Sequence, residues 1–74
     1  MSSSPRNRLR AQVKAVRVGS AVSHILVQVG ESVIESIMTN EDAEALHLKP
    51  GDSVLIAIKP TDVVLQPLRA TRAA

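Results

Sequence analysis

The chain of 74 residues contains no cysteine, phenylalanine, tryptophan or tyrosine. Without cysteine, neither a disulfide nor a thiolate-ligated metal can brace the fold. That absence matters because a chain this short buries only about 60% of the surface its unfolded form exposes, and small domains usually need added support. Association with further copies is the remaining route. With no aromatic ring, the core must be aliphatic, although the apolar fraction of 45% is itself ordinary. The same absence removes the rings on which single-stranded nucleic acid stacks, worth about 1 to 3 kcal/mol per base. No apolar run approaches the roughly 20 residues of a membrane span. The start Met1-Ser2-Ser3-Ser4-Pro5 has no apolar segment of the signal-peptide kind, so a cytoplasmic location is expected.

Acidic residues are missing from the first 30 positions, which hold Arg6, Arg8, Arg10, Lys14 and Arg17 and so carry +5. The rest of the chain sets Lys49, Lys59, Arg69 and Arg72 against seven acids, for −3. One half should therefore attract anions. Enzymatic chemistry is poorly supplied. The two histidines, His24 and His47, stand in no motif with a nucleophile, and metal ligands come in clusters that the sequence does not offer. Glu41, Asp42 and Glu44 fall where a helix begins, and there they read as capping and dipole residues. The chain is expected to be a binding protein, with no enzymatic activity and no directly ligated metal.

Period-two alternation organises most of what is present. Leu9, Ala11, Val13 and Ala15 alternate with Arg10, Gln12 and Lys14. At Ala15-Val16 the parity slips, which predicts a bulge that bends the strand, after which Val16 and Val18 continue the apolar face. Gly19-Ser20 marks a turn. A second run places Ile25, Val27 and Val29 opposite His24, Leu26 and Gln28, and Gly30-Glu31 suits a two-residue hairpin of type II′. The third run, Val33 to Met38, is apolar on both faces, which hints at cover from a neighbouring subunit. Thr39 caps a short helix with Ala43, Leu46 and Leu48 on its apolar side. Lys49-Pro50-Gly51-Asp52 specifies a type II turn. Val54 to Ile58 and Val63 to Leu65 read as the last two strands. The expected fold is all-β, a five-stranded Greek-key barrel of the oligonucleotide- and oligosaccharide-binding type, with one short helix between strands three and four. Residues 1–3 read as a disordered start, 4–66 as the domain and 67–74 as a loose tail.

A tetrahedral, fully deprotonated dianion accepts hydrogen bonds at each oxygen and donates none, so its site needs N–H and O–H groups. Ser4, Arg6, Asn7, Ser20, Thr39, Lys59 and Thr61 are the supply, mostly at loop and strand ends, where separate subunits can meet. A nucleic-acid module is the less favoured class, since base stacking has no ring to use, although duplex binding through phosphates would need none.

Several segments together carry a resemblance. Ser4-Pro5-Arg6-Asn7-x-Leu9-x-Ala11-x-Val13, Gly19, Ile37-Met38-Thr39, Leu46 to Asp52 with Val54, and Ile58-Lys59-Pro60-Thr61-Asp62-Val63 are similar to the molbindins. These are small cytoplasmic molybdate-binding proteins made of single transport-associated oligonucleotide-binding-fold (TOBE, Mop-type) domains. The resemblance runs from Ser4 to about Leu65. It implies a hexamer built as a trimer of dimers, with strands exchanged between subunits and molybdate or tungstate held at the interfaces for storage and homeostasis. One class of site in the family matches Ser4, Arg6, Thr39 and Lys59 here, and a second matches the turn at Gly19, Ser20 and Ala21. Three positions depart from the family pattern: Pro5 for alanine, Pro60 for a residue with a backbone N–H, and Asp42 for an anion-donating serine. An ionised Asp42 accepts only and repels a dianion. A fold-retaining accessory domain with weakened anion sites is therefore the alternative expectation.

Overall fold

The computed structural model describes residues 6–69. Ser4, the expected loose start at 1–3 and the tail from residue 70 lie outside the described residues. The element order is β1 (Arg8–Val18), β2 (Val22–Val29), β3 (Ser32–Thr39), α1 (Asn40–Leu46), β4 (Ser53–Ala57) and a 3₁₀ turn (Pro60–Asp62). The strands form one antiparallel sheet in the order β3-β2-β1-β4.

Alternation sets the faces. Ala11 and Val13 of β1 and Ile25 and Val27 of β2 are buried, and Ile34, Met38, Val54 and Ile56 pack against them from the flanking strands. The register pairs Val13 with Val27 and Ala15 with Leu26, so Lys14 is the extra residue of a bulge. The bulge thus falls one residue before the expected position. Val13 is fixed from the far side as well: its N–H donates to the Asp52 carbonyl at 2.8 Å, and its carbonyl accepts from Gly51 N–H at 2.8 Å. The slip is absorbed at the next residue, and Val16 returns to the inner face opposite Ile25.

Both tight turns follow their chemistry. Val29 pairs with Ser32 around Gly30-Glu31, and Gly30 takes φ +59° while Glu31 stays out of the positive region, which is the type II′ pattern. At Lys49-Pro50-Gly51-Asp52, Gly51 takes φ +97° and Asp52 N–H donates to the Lys49 carbonyl at 3.0 Å. The helix is capped as expected, with Thr39 Oγ1 accepting from Asp42 N–H at 3.1 Å. Its inner side is Ala43 and Leu48, whereas Leu46 is exposed, contrary to expectation. Leu46 lies one turn on from Ala43 at the end of the helix, at the mouth of a pocket with Ile34, Met38 and Ile56, and is left 54% exposed.

The fifth strand does not form among the described residues, so the sheet has four strands and stays open where a closed barrel was expected. After β4 the Ile58 N–H makes one more bond, to the Asn7 carbonyl at 2.9 Å. Pro60, lacking an N–H, then opens the 3₁₀ turn and directs the chain off the sheet. Val63 to Leu68 join no strand among the described residues: Val64 is 78%, Leu65 88% and Leu68 99% exposed. Apolar residues of strand type are present, but among the described residues they pair with neither free edge, β3 or β4.

Candidate functional site

The expected anion-binding residues separate into two groups at opposite ends of β1, roughly 30 Å apart by the rise of an eleven-residue strand. Arg6, Asn7 and Lys59 lie at the first end, and Gly19, Ser20, Ala21 and Thr39 at the second.

At the first end, β1 begins where β4 stops, because Arg8 pairs with Ala57. Arg6, Asn7, Arg8, Ala57, Ile58, Lys59 and Pro60 line a groove of about 670 Å³. Asn7 holds a left-handed conformation, φ +61°, which asparagine tolerates better than most residues. This bend leads the chain into β1 while the Asn7 carbonyl accepts the Ile58 N–H. Three cations and one amide thus face the groove, and no carboxylate stands in its wall. Arg8, counted above among the cations of the basic half but not among the expected site residues, is the third cation, brought to the groove by the pairing of β1 with β4. Thr61 sits in the adjoining 3₁₀ turn, exposed and outside the groove wall. Pro60 supplies no N–H there.

Hydrogen bonds tie the second end together. Gly19 N–H donates to the Val22 carbonyl at 2.9 Å, closing the turn through Ser20 and Ala21. A Cβ on Gly19 would lie 2.8 Å from that carbonyl oxygen, so a larger residue cannot be placed without moving backbone. Asn40 joins this turn to the helix start: its N–H donates to the Ala21 carbonyl at 3.0 Å, and its Nδ2 to the Gly19 carbonyl at 3.0 Å. The hydroxyl of Ser23, fully buried, donates to Asn40 Oδ1 at 2.7 Å. Asn40 is the residue that sequence reasoning missed. Its partners lie 17 and 21 positions away, and no local pattern marks them. Thr39 pairs with Val22, and its hydroxyl, while accepting from Asp42, keeps its proton to donate. Asp42 is exposed one helical turn further on. Between this turn and the helix lies a cavity of about 460 Å³ lined by Val16, Val18, Ser23, Asn40, Ala43, Glu44, His47 and Leu48.

Neither histidine joins a metal cluster, and no such group exists among the described residues. His24 stands on the outer face, its Nδ1 2.5 Å from Glu35 Oε2 across the β2–β3 pair. His47 ends the helix in the left-handed conformation, φ +53°, its N–H donating to the Glu44 carbonyl. No helix among the described residues is long and apolar enough to cross a membrane.

Comparisons with known proteins bear on the family and the fold. Molybdenum-pterin-binding proteins 3 and 1 of Clostridium pasteurianum are 33% and 32% identical to the chain over 66 residues, 88% of this chain and 97% of each relative. Among solved structures, a molybdate-binding protein from Sporomusa ovata superposes with a TM-score of 0.81 at 28% identity, over 90% of this chain and 100% of that one. MopII from Clostridium pasteurianum superposes with a TM-score of 0.79 at 28% identity, over 89% and 100%. These relatives are named for binding, in line with the expectation that the chain is no enzyme. The TOBE domain model matches residues 3–65, and with these molybdenum-binding relatives it shows that the chain belongs to the TOBE domain family.

Proposed function

We propose that the chain binds molybdate, or tungstate of the same charge and shape, as a bare dianion at seams between copies of itself, and so serves cytoplasmic molybdenum storage and homeostasis. The observation that carries this reading is the groove at the start of β1, where Arg6, Asn7, Arg8 and Lys59 meet without a carboxylate. Only an ion with no proton to give is fully satisfied by such a wall. A pterin ring would instead favour a flat partner to stack on, and the chain has no aromatic residue.

The seam follows from distance. Thr39 is at the far end of β1 from Lys59, so one chain cannot close both around one ion. A second copy supplies the missing donors, with Ser4 added from the N-terminus and Thr61 from the 3₁₀ turn, and the Gly19-Ser20-Ala21 turn offers a second class of site. The proposed assembly is a hexamer, a trimer of dimers, in which residues 63–68 are covered by a neighbouring chain. Their exposed Val64, Leu65 and Leu68 give that contact an apolar surface to bury.

Calorimetry with molybdate, tungstate and sulfate, alongside a native mass measurement, tests the proposal. Molybdate and tungstate should bind more tightly than sulfate to an oligomer, and equal affinity for sulfate would remove the assignment. One observation favours a second reading, an accessory domain with weakened sites. Asp42, whose backbone N–H bonds the Thr39 hydroxyl, puts a carboxylate in the first helical turn, and that charge opposes a dianion bound there. Asp42→Ser should then raise molybdate affinity about tenfold, in keeping with the roughly 1 to 2 kcal/mol of one such electrostatic contact. An unchanged binding curve would show Asp42 to be irrelevant.

A further inference from the structure

Continuing from Arg8, which also lines the groove, the outer face of β1 carries a row of cations of which Arg10, Lys14 and Arg17 are not used by the proposed oxyanion site. Arg8, Arg10, Lys14 and Arg17 are all exposed. The bulge aligns them: without the extra residue at Lys14, Arg17 would turn to the inner face and Val16 outward. Lys14 is on the outer face too, since its Nζ reaches Gln28 Oε1, and Gln28 pairs with Gln12. β1 is an interior strand, so the row runs down the middle of the sheet for roughly 30 Å. Among the described residues none of these four cations has a carboxylate partner. Glu35 is the one acid on this face, on β3 and already engaged.

We propose that this row is a docking surface for double-stranded nucleic acid, held through its phosphates and without base reading. Three observations choose that occupant. The array is one strand wide and linear, whereas a membrane surface calls for a two-dimensional patch and for interfacial aromatic anchors, which are absent. A single strand would lack rings to stack on. A duplex is already stiff and carries one charge per about 1.7 Å of axis, so a fixed row of cations meets it without ordering either partner.

The test is fluorescence anisotropy of the full chain with a labelled 20-base-pair duplex, repeated in several unrelated sequences and between 50 and 200 mM salt. Four phosphate contacts per chain predict a log–log slope of about −3.6, a loss of roughly 150-fold across that range, with little dependence on sequence. Arg10→Gln combined with Arg17→Gln removes half the row and should halve the slope, so that the loss falls to about 12-fold. Arg10→Lys with Arg17→Lys should keep it. Thermal melts of both variants establish that they are folded, and molybdate binding should be the same in each. No binding at 50 mM salt, or a glutamine variant with an unaltered slope, would overturn the proposal. Equal affinity for inorganic polyphosphate or for phosphatidylserine vesicles would overturn the assignment to duplex.

Discussion

The two ends of β1 are built by different means. At the Gly19 end, the turn, the helix cap and the buried Ser23 are joined through Asn40 by hydrogen bonds made within one chain. At the Arg6 end, one backbone bond from Ile58 to Asn7 closes the sheet, and Arg6, Arg8 and Lys59 line an open groove. At the Gly19 end these bonds fix the turn and the helix start within one chain, while the Thr39 hydroxyl keeps its proton to donate. The Arg6 end lines its groove with three cations and no carboxylate, and there an anion has most to gain.

That contrast requires the sheet between the ends to be rigid, and the largest effect is expected where it is most buried. Ile25, 1% exposed, packs with Val13 and Val27 at the centre. Ile25→Ala should cost about 2 to 5 kcal/mol, a large share of the 5 to 15 kcal/mol that a domain has in total. Urea melts should show the fold nearly lost, and anion binding lost with it. Binding that survives undiminished would mean the groove forms without the sheet.

Asn40→Ala comes next and bears on the Gly19 end alone. It leaves the buried Ser23 hydroxyl and the Gly19 carbonyl without their partner, at about 1 to 3 kcal/mol. A melt of this variant set beside one of Lys59→Ala separates the two ends. Lys59 is exposed, and its loss should move stability by no more than about 0.5 kcal/mol. Equal destabilisation by both changes would erase the distinction between a fixed end and an open one.

Much of this arrangement could be read from residue order, and the exceptions share a cause. Alternation in Leu9–Val13 and His24–Val29, the glycines at 30 and 51, and the Thr39 cap each depend on neighbours within a few positions and are found as expected, whereas Ala15, expected beside Val13, turns to the other face at the bulge. The bulge falls at Lys14 because Val13 is held by Gly51 and Asp52, nearly forty residues away. Asn40 escaped notice for the same reason. The expected strand at Val63–Leu65 has the right composition, but the 3₁₀ turn opened by Pro60 takes it off the sheet, and among the described residues it pairs with neither free edge, an outcome composition cannot express. Of the expected site residues, Arg6, Asn7 and Lys59 come together, while Thr39 and the Gly19-Ser20-Ala21 turn lie at the other end.

The separation of Thr39 from Lys59 supplies the finest test. Thr39→Ala should remove a helix cap, costing about 1 kcal/mol in stability, and it should weaken molybdate binding as well. Lys59→Ala should weaken binding about 10- to 150-fold, equivalent to the roughly 1.5 to 3 kcal/mol of a charge-assisted hydrogen bond, with little change in stability. The informative quantity is how the two losses combine. Residues roughly 30 Å apart in an isolated chain should act independently, their effects on affinity adding within about 0.3 to 0.5 kcal/mol. If Thr39 of one copy and Lys59 of another hold the same ion, removing either weakens what the other can contribute, and the double variant should depart from additivity by more than that margin. Calorimetry on the four proteins measures the cycle, and a native mass measurement on each shows whether the assembly persists. Strict additivity with the assembly intact would place the two residues at different ions. Coupling that disappears when the assembly is diluted to single chains would locate the contact between copies, because no path within one chain brings the two side chains to one point.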